Sequence, residues 1–302
     1  MKVASFYCFL DLAEPAILRE ELLRLCRERS LLGTILVAEE GLNGTLAGSG
    51  GDIQQILDWL QRELGLDAPL DARWTDSETA PFRHLRVRLK KEIVTLGRPD
   101  LKPHERSGTY VGADEWNGLL DDPNVLVIDT RNHYEHEVGS FPGAIDPGTD
   151  SFREFPAFAA RLAQTSKDRP LAMFCTGGIR CEKATALMLE LGFEEVYHLK
   201  GGILNYLKDT PAAENRWDGE CFIFDTRVAL DKDLADGGYV QCHACRRPLS
   251  NEDLRSPDYR EGVSCPKCCG ELEDERAARL EERRKQVALA TLRGEKHIGP
   301  RS

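Results

Sequence analysis

Apolar positions along the first ninety residues alternate between strand-like and helix-like spacing, with two helical stretches. Residues 1–10 (MKVASFYCFL) read as a β-strand, and 15–30 (PAILREELLRLCRERS) as a helix with Ile17, Leu18, Leu22 and Leu25 on its apolar side. TILVAEE and TLAG then predict two short strands around a turn at Gly41 to Gly44. A second helix, Asp52 to Leu64, turns Ile53, Ile56, Leu57 and Leu60 inward, and RHLRVRLKK closes the segment as a strand. The order β, α, β, β, α, β is the ferredoxin-like pattern, assigned to residues 1–96.

In that last strand Leu85, Val87 and Leu89 share one face, while His84, Arg86, Arg88 and Lys90 share the other. Lys91, Arg98, Lys102 and Arg106 extend the basic stretch. Such a row protects an exposed sheet edge or contacts RNA phosphates, and Arg86, Arg88 and Lys90 are the candidates for RNA binding. Residues 97–118 (including GRPDLKPHERSGTY) carry Pro, Gly and charge, which predicts a linker.

Residues 119–215 alternate strands with helices. NVLVIDTR is an apolar strand ending in Asp129 and Arg131, a helix begins near Pro156, LAMF is the next strand, and EVYHLKGG closes with another strand and turn. This alternation predicts a parallel α/β sheet with its ligand site at the carboxyl ends of the strands.

LAMF delivers Cys175 into CTGGIRCEK, ahead of a helix that places Ala184, Leu187, Met188 and Leu191 on one face. Backbone N–H groups of such a loop, and the positive end of the helix dipole, favour thiolate over thiol at Cys175. Thr176, Gly177, Gly178 and Ile179 form the cradle, and Arg180 is the second anion-binding element. From Cys175 to Arg180 the spacing is C-x₄-R, tighter than the C-x₅-R of cysteine phosphatases, which favours sulfur or thiolate chemistry over phosphoryl transfer. Cys181, in the first turn of the following helix, is a candidate resolving thiol. Asp129 and Arg131 are candidates to orient the loop, whereas His133 and His136 read as surface residues.

Beyond residue 215 the pattern weakens until CHAC (242–245) and CPKC (265–268), two C-x₂-C pairs nineteen residues apart. That spacing matches a four-thiolate zinc template, with Cys242, Cys245, Cys265 and Cys268 as ligands and His243 as a weaker substitute; Cys269 is a spare thiol. Residues 216–270 are thus a cysteine-rich segment, and 271–302 a charged helix with a thin apolar line at Ala277, Leu280 and Val287. In that helix Arg283, Arg284 and Lys285 are a second candidate contact for RNA.

The net charge of −11 argues against indiscriminate coating of nucleic acid. Ten cysteines without an export signal point to a reducing compartment, read as the cytoplasm, and no apolar run is long enough for a membrane.

The motif IDTRNHYEHEVGSFPGAI, the six-residue loop CTGGIR and the closing VYHLKGG resemble, in that order, the motifs of rhodaneses. With the ferredoxin-like front carrying EEGLNGTLAG, then FREFP, CTGGIRCEK and the paired C-x₂-C motifs, nearly the whole chain is similar to the rhodanese-domain tRNA uridine(34) hydroxylases of UPF0176 type. The resemblance implies oxygen-dependent conversion of the wobble uridine to 5-hydroxyuridine, with Cys175 reacting, in the family through a persulfide. It also implies a tRNA anticodon loop as partner, dioxygen as co-substrate and a separate electron donor. Neither a 2-His-1-carboxylate iron set nor a dinucleotide fingerprint is legible. Addition of Cys175 to C6 of uracil would make C5 electron-rich, with Arg180 and the loop amides holding the enolate oxygen. The alternatives are a sulfurtransferase, moving sulfane sulfur from thiosulfate or a persulfide to a thiol or tRNA, and a non-catalytic RNA-binding scaffold clipped by zinc.

Overall fold

The computed structural model describes residues 1–294 and divides into two compact units, Met1–Cys221 with Lys232–Leu234, and Phe222–Asp231 with Ala235–Ser302. The end of the helix expected over 271–302 thus falls outside the described residues.

The first unit opens with β1 (Lys2–Phe9), α1 (Pro15–Glu28), β2 (Leu32–Ala38), β3 (Gly41–Gly48), α2 (Gly50–Glu63), β4 (Ala72–Asp76) and β5 (Leu85–Leu89). They form one sheet in the order β4-β1-β3-β2-β5. The first four strands pair antiparallel, and β5 joins β2 in parallel at the far edge. The ferredoxin-like fold is therefore present, but its fourth strand is β4. The strand read at 83–91 is an additional fifth one. β4 (ARWTD) has no apolar alternation, because only Arg73 of its side chains is buried.

Two local expectations shift with it. Gly41 to Gly44 belong to β3 rather than to a turn, and the chain reverses at Glu39 and Glu40. Ile17 is 55% exposed and Leu89 50% exposed, while Cys26 lies in the core with Leu18 and Leu22. All four expected residues of α2 are buried on the sheet. Each such burial is worth about 1.5–3 kcal/mol, enough to hold a helix that starts on two glycines.

The second half of this unit contains β6 (Thr109–Val111), α3 (Ala113–Asp121), β7 (Leu126–Asp129), α4 (His133–His136), β8 (Gly139–Ser140), α5 (Phe155–Thr165), β9 (Leu171–Phe174), α6 (Ile179–Glu190), β10 (Val196–Leu199) and α7 (Gly202–Asp209). Its sheet runs β6-β10-β9-β7, every pair parallel, and β8 pairs with β11 (Asp218–Gly219). The stretch read as a linker, 97–118, holds β6 and most of α3, and Trp116 is fully buried with Phe141 and Phe174 around it. β6 has three residues and buries only Val111, too short to show a period.

Both halves share one unit because polar groups join them. Lys183 Nζ on α6 donates to Glu40 Oε2 and Glu92 Oε2, each at 2.6 Å, and the ammonium is fully buried. Within the second half, Thr185 Oγ1 accepts from the Gly108 N–H at 2.9 Å and ties α6 to the start of β6.

In the second unit Val240–Gln241 pair antiparallel with Pro248–Leu249, and α8 spans Asp274–Leu292. Ala277 and Leu280 are half-buried, whereas Val287, expected on the apolar line, is exposed. Among the described residues no helix is long and apolar enough to cross a membrane.

Candidate active site

The turn from β9 into α6 is built around the Cys175 sulfur. Gly178 takes φ +97°, which an L side chain rarely adopts, and this aims its N–H at Cys175 Sγ, 3.1 Å away. From the other side, Ile203 N–H donates to the Cys175 carbonyl at 3.0 Å and Leu204 N–H to that of Thr176 at 3.2 Å. Gly202, at φ +69°, permits this approach: a Cβ there would stand 2.4 Å from the Cys175 oxygen. The KGG turn thus clamps the cysteine loop from below.

Cys175 is 1% exposed. Burial alone would raise its pKa, but the Cys181 thiol, the Arg180 charge and the N–H groups of Cys181 and Gly178 outweigh it and bring Cys175 down to about 5. Cys181 moves the opposite way, held well above the ordinary thiol value by burial and by the neighbouring Cys175 thiolate. It also lies 3.5 Å from Thr130 Oγ1. Kept protonated, Cys181 is a hydrogen-bond donor to Cys175.

Arg180 sits at the rim of the loop but is not an open anion-binding fork. Its Nη1 and Nη2 donate to Glu135 Oε1 and Oε2 at 2.6 and 2.7 Å, a buried bidentate pair, and Nη2 reaches Thr176 Oγ1 at 3.4 Å. Its charge still acts on the sulfur through space.

Asp129 and Arg131, expected to orient the loop, form a fully buried pair, with Nη2 to Oδ2 at 2.6 Å. The Arg131 guanidinium lies 5.1 Å from the Trp217 ring centre. Burial opposes ionisation of Asp129, but Arg131 and His136 hold its carboxyl at about 2. They tie β7 to the motif that carries Glu135, one step behind the loop. His136, read as a surface residue, is half-buried with Nδ1 3.1 Å from Asp129 Oδ2, whereas His133 is exposed and 2.6 Å from Asp146 Oδ2.

Sequence reasoning missed the side chains that the ferredoxin-like half brings to this loop. Tyr7 of β1 donates its hydroxyl to Glu182 Oε1 at 2.6 Å, and a Cβ on Gly178 would lie 2.8 Å from that hydroxyl. Arg73 of β4 stacks over the Tyr7 ring at 5.3 Å and donates Nε to the Gly201 carbonyl at 3.0 Å. Tyr110 of β6 supplies a second hydrogen bond to Glu182. Burial raises the Glu182 carboxyl and the Cys175 charge adds to the rise, although the two tyrosines oppose it. Nothing in a lone Tyr or Arg along a strand signals this role.

The comparisons agree with these two halves. Residues 1–93 match the model of the UPF0176 acylphosphatase like domain, and residues 112–209 that of the Rhodanese-like domain. Two relatives extend the match over nearly the whole chain. The tRNA uridine(34) hydroxylase of Teredinibacter turnerae is 49% identical over 99% of this chain and 93% of its own. That of Agrobacterium fabrum is 47% identical over 98% of this chain and 94% of its own. The chain belongs to the tRNA uridine(34) hydroxylase family.

The remaining expected site residues lie elsewhere. Arg86 and Arg88 on the edge strand β5 and Lys90 just after it are exposed and make no ion pair among the described residues. The basic residues after them are partly neutralised: Arg98 pairs with Glu190 at 2.9 Å and Lys102 with Asp11 at 3.0 Å. In the second unit the sulfurs of Cys242, Cys245, Cys265 and Cys268 all lie within 4.8 Å of one another. His243 and Cys269 are exposed and outside this group. The other grouping of ligand-type residues, Asp11, His104 and Glu105, is exposed and already holds the Lys102 ammonium.

Proposed function

We propose that this chain hydroxylates the wobble uridine of tRNA at C5, with Cys175 as the reacting group. The observation that carries the reading is a buried thiol in the turn leading into α6, with the Gly178 N–H 3.1 Å from its sulfur and its pKa brought down to about 5 by a neighbouring thiol, a guanidinium and two backbone amides, so that it is thiolate at neutral pH. It stands in a family whose relatives bear the name tRNA uridine(34) hydroxylase. A nucleophile of this kind adds to C6 of uracil and turns C5 into an enolate-type carbon. Oxygen at the peroxide level then bonds to C5. Loss of the C5 proton and expulsion of the thiolate restore the ring as 5-hydroxyuridine. Overall, dioxygen supplies one atom to C5 and leaves the other as water, with two electrons and two protons from a separate reductant.

Glu182, its pKa raised and its position fixed by Tyr7 and Tyr110, is the candidate to take the C5 proton. The same amide cradle suits a persulfide on Cys175, the form that a sulfurtransferase would use.

The test is a nucleoside mass profile of tRNA from a strain lacking the enzyme, complemented with wild type or Cys175→Ala. Wild type should restore 5-hydroxyuridine and the variant should not. Restoration by the variant overturns the role of Cys175. Loss of 2-thiolated nucleosides in place of 5-hydroxyuridine would instead assign sulfur transfer.

A further inference from the structure

We infer that Cys242, Cys245, Cys265 and Cys268 bind one zinc ion in a closed, structural four-thiolate site, and that this ion holds the two cysteine knuckles together.

The geometry fits a single tetrahedral ion. With Zn–S bonds of about 2.3 Å, the edge of a ZnS₄ tetrahedron is about 3.8 Å. Cys245 Sγ to Cys265 Sγ is 3.8 Å and Cys265 Sγ to Cys268 Sγ is 3.6 Å, with all four sulfurs inside 4.8 Å. An iron–sulfur cluster binds its thiolates to different irons and would spread them further apart. Four reduced thiols packed this closely gain little from one another, since S–H is a weak donor and S a weak acceptor. A dication explains the convergence.

The backbone is arranged as two knuckles. In the first, Cys242 N–H donates to the Arg247 carbonyl at 3.0 Å, and Arg246, at φ +71°, returns its N–H to the Cys242 carbonyl at 2.9 Å. N–H groups of Ala244 and Cys245 point at Cys242 Sγ, and that of Arg247 at Cys245 Sγ. In the second, Cys268 and Cys269 N–H both donate to the Cys265 carbonyl at 2.9 Å, and Cys265 N–H lies 3.4 Å from Cys268 Sγ. Amides directed at sulfur offset the double negative charge that four thiolates leave around Zn²⁺. Arg247 donates from its guanidinium to the Lys267 carbonyl, and so links the knuckles. Arg276 of α8 caps the first knuckle at the Ala244 carbonyl, 2.7 Å away.

The two knuckles also need the ion. Around the sulfurs the buried cluster is Cys242, Ala244, Leu249, Cys265 and Cys268, with Leu254, Tyr259, Leu272 and Leu280 half-buried against it, so the two knuckles rest on few apolar side chains besides the cysteines. So small an apolar cluster holds two knuckles in place weakly without a cross-link or a metal. All four ligand positions are filled by protein, which makes the role structural.

Full-length protein purified in reducing, chelator-free buffer should contain about one zinc per chain by elemental analysis. Cys265→Ser should lose it, and Cys175→Ser/Cys181→Ser should keep it. Because a ligand variant may unfold the unit, wild-type protein exchanged with cobalt supplies an independent reading: intense thiolate-to-cobalt absorption with the visible bands of a tetrahedral ion. Zinc far below one per chain with no cobalt spectrum, iron in place of zinc, or full zinc in Cys265→Ser would each overturn the inference.

Discussion

Cys175 and Cys181 are six residues apart and joined by a hydrogen bond, yet their environments drive their protons in opposite directions. Burial acts on both alike, so the difference comes from what faces each sulfur. Cys175 receives two amides and the Arg180 field, while Cys181 faces the Cys175 thiolate and Thr130. Thiolate absorbance of wild type minus Cys175→Ser should titrate with a midpoint near 5. Cys181→Ala removes a donor to a charged acceptor, worth about 1.5–3 kcal/mol, and should raise that midpoint by roughly one to two units. Arg180→Met should raise it as well, because it removes the cation and leaves the Glu135 carboxylate unpaired nearby. Midpoints unchanged in both variants would show that the loop amides alone hold the thiolate. The sequence made the nucleophile legible, since Cys175, the paired glycines and the spacing to Arg180 state it directly. Arg180's partner was not, because Glu135 lies forty-five residues away and an Arg does not announce which carboxylate it will meet.

At the scale of elements, the loop owes its shape to the KGG turn before α7 as much as to its own glycines. Gly202→Ala places a Cβ 2.4 Å from a backbone oxygen at positive φ, so the turn must move and the carbonyls of Cys175 and Thr176 lose their donors. A cost of at least about 1–3 kcal/mol in stability is expected from the backbone alone, read as a lower midpoint in urea. Activity should fall further than stability, because the Sγ cradle shifts with the turn. Wild-type stability and activity in that variant would show that α7 does not position the loop. The edge strand β5 poses a different question. If its exposed Arg86, Arg88 and Lys90 meet tRNA phosphates, reversing all three should weaken binding and reduce the slope of log affinity against log salt, by about one for each phosphate no longer neutralised. An unchanged slope would place the RNA interface elsewhere. Periodicity located α2, β9 and α6 well because each buries a stripe or strand, and α1 too, although its buried line runs through Leu18, Leu22 and Cys26 rather than Ile17. It failed at β4 and β6, edge strands whose side chains are mostly outside the core and whose pairing is made by backbone.

For the first unit as a whole, the two halves depend on charge that left no trace in sequence spacing. Lys183 is surrounded by Glu40 from the β2–β3 turn and Glu92 from the segment after β5, both nearly buried. Glu92 is also fixed by N–H groups of Leu96 and Gly97, at 3.1 and 3.0 Å. Burial raises the Glu40 carboxyl in spite of Lys183, whereas for Glu92 the ammonium and those amides outweigh burial and lower it. Lys183→Met leaves two buried carboxylates without their cation and should cost about 3–5 kcal/mol at neutral pH. The loss should itself depend on pH. Without the ammonium both carboxyls bind protons more tightly in the folded protein than in the unfolded chain, so the variant gains stability as pH falls from neutral toward the unfolded carboxyl value. Wild type gains less over the same range, since only Glu40 is raised there, while the lowered Glu92 stays ionised and keeps its full contribution until pH falls below the unfolded value. Chemical unfolding of both proteins at pH 7.5 and near 5 should therefore show the difference between them shrinking in acid. A difference that stays constant would mean that Lys183 acts through packing of its aliphatic chain, and the charge would have no part in holding Tyr7 and Arg73 against the cysteine loop.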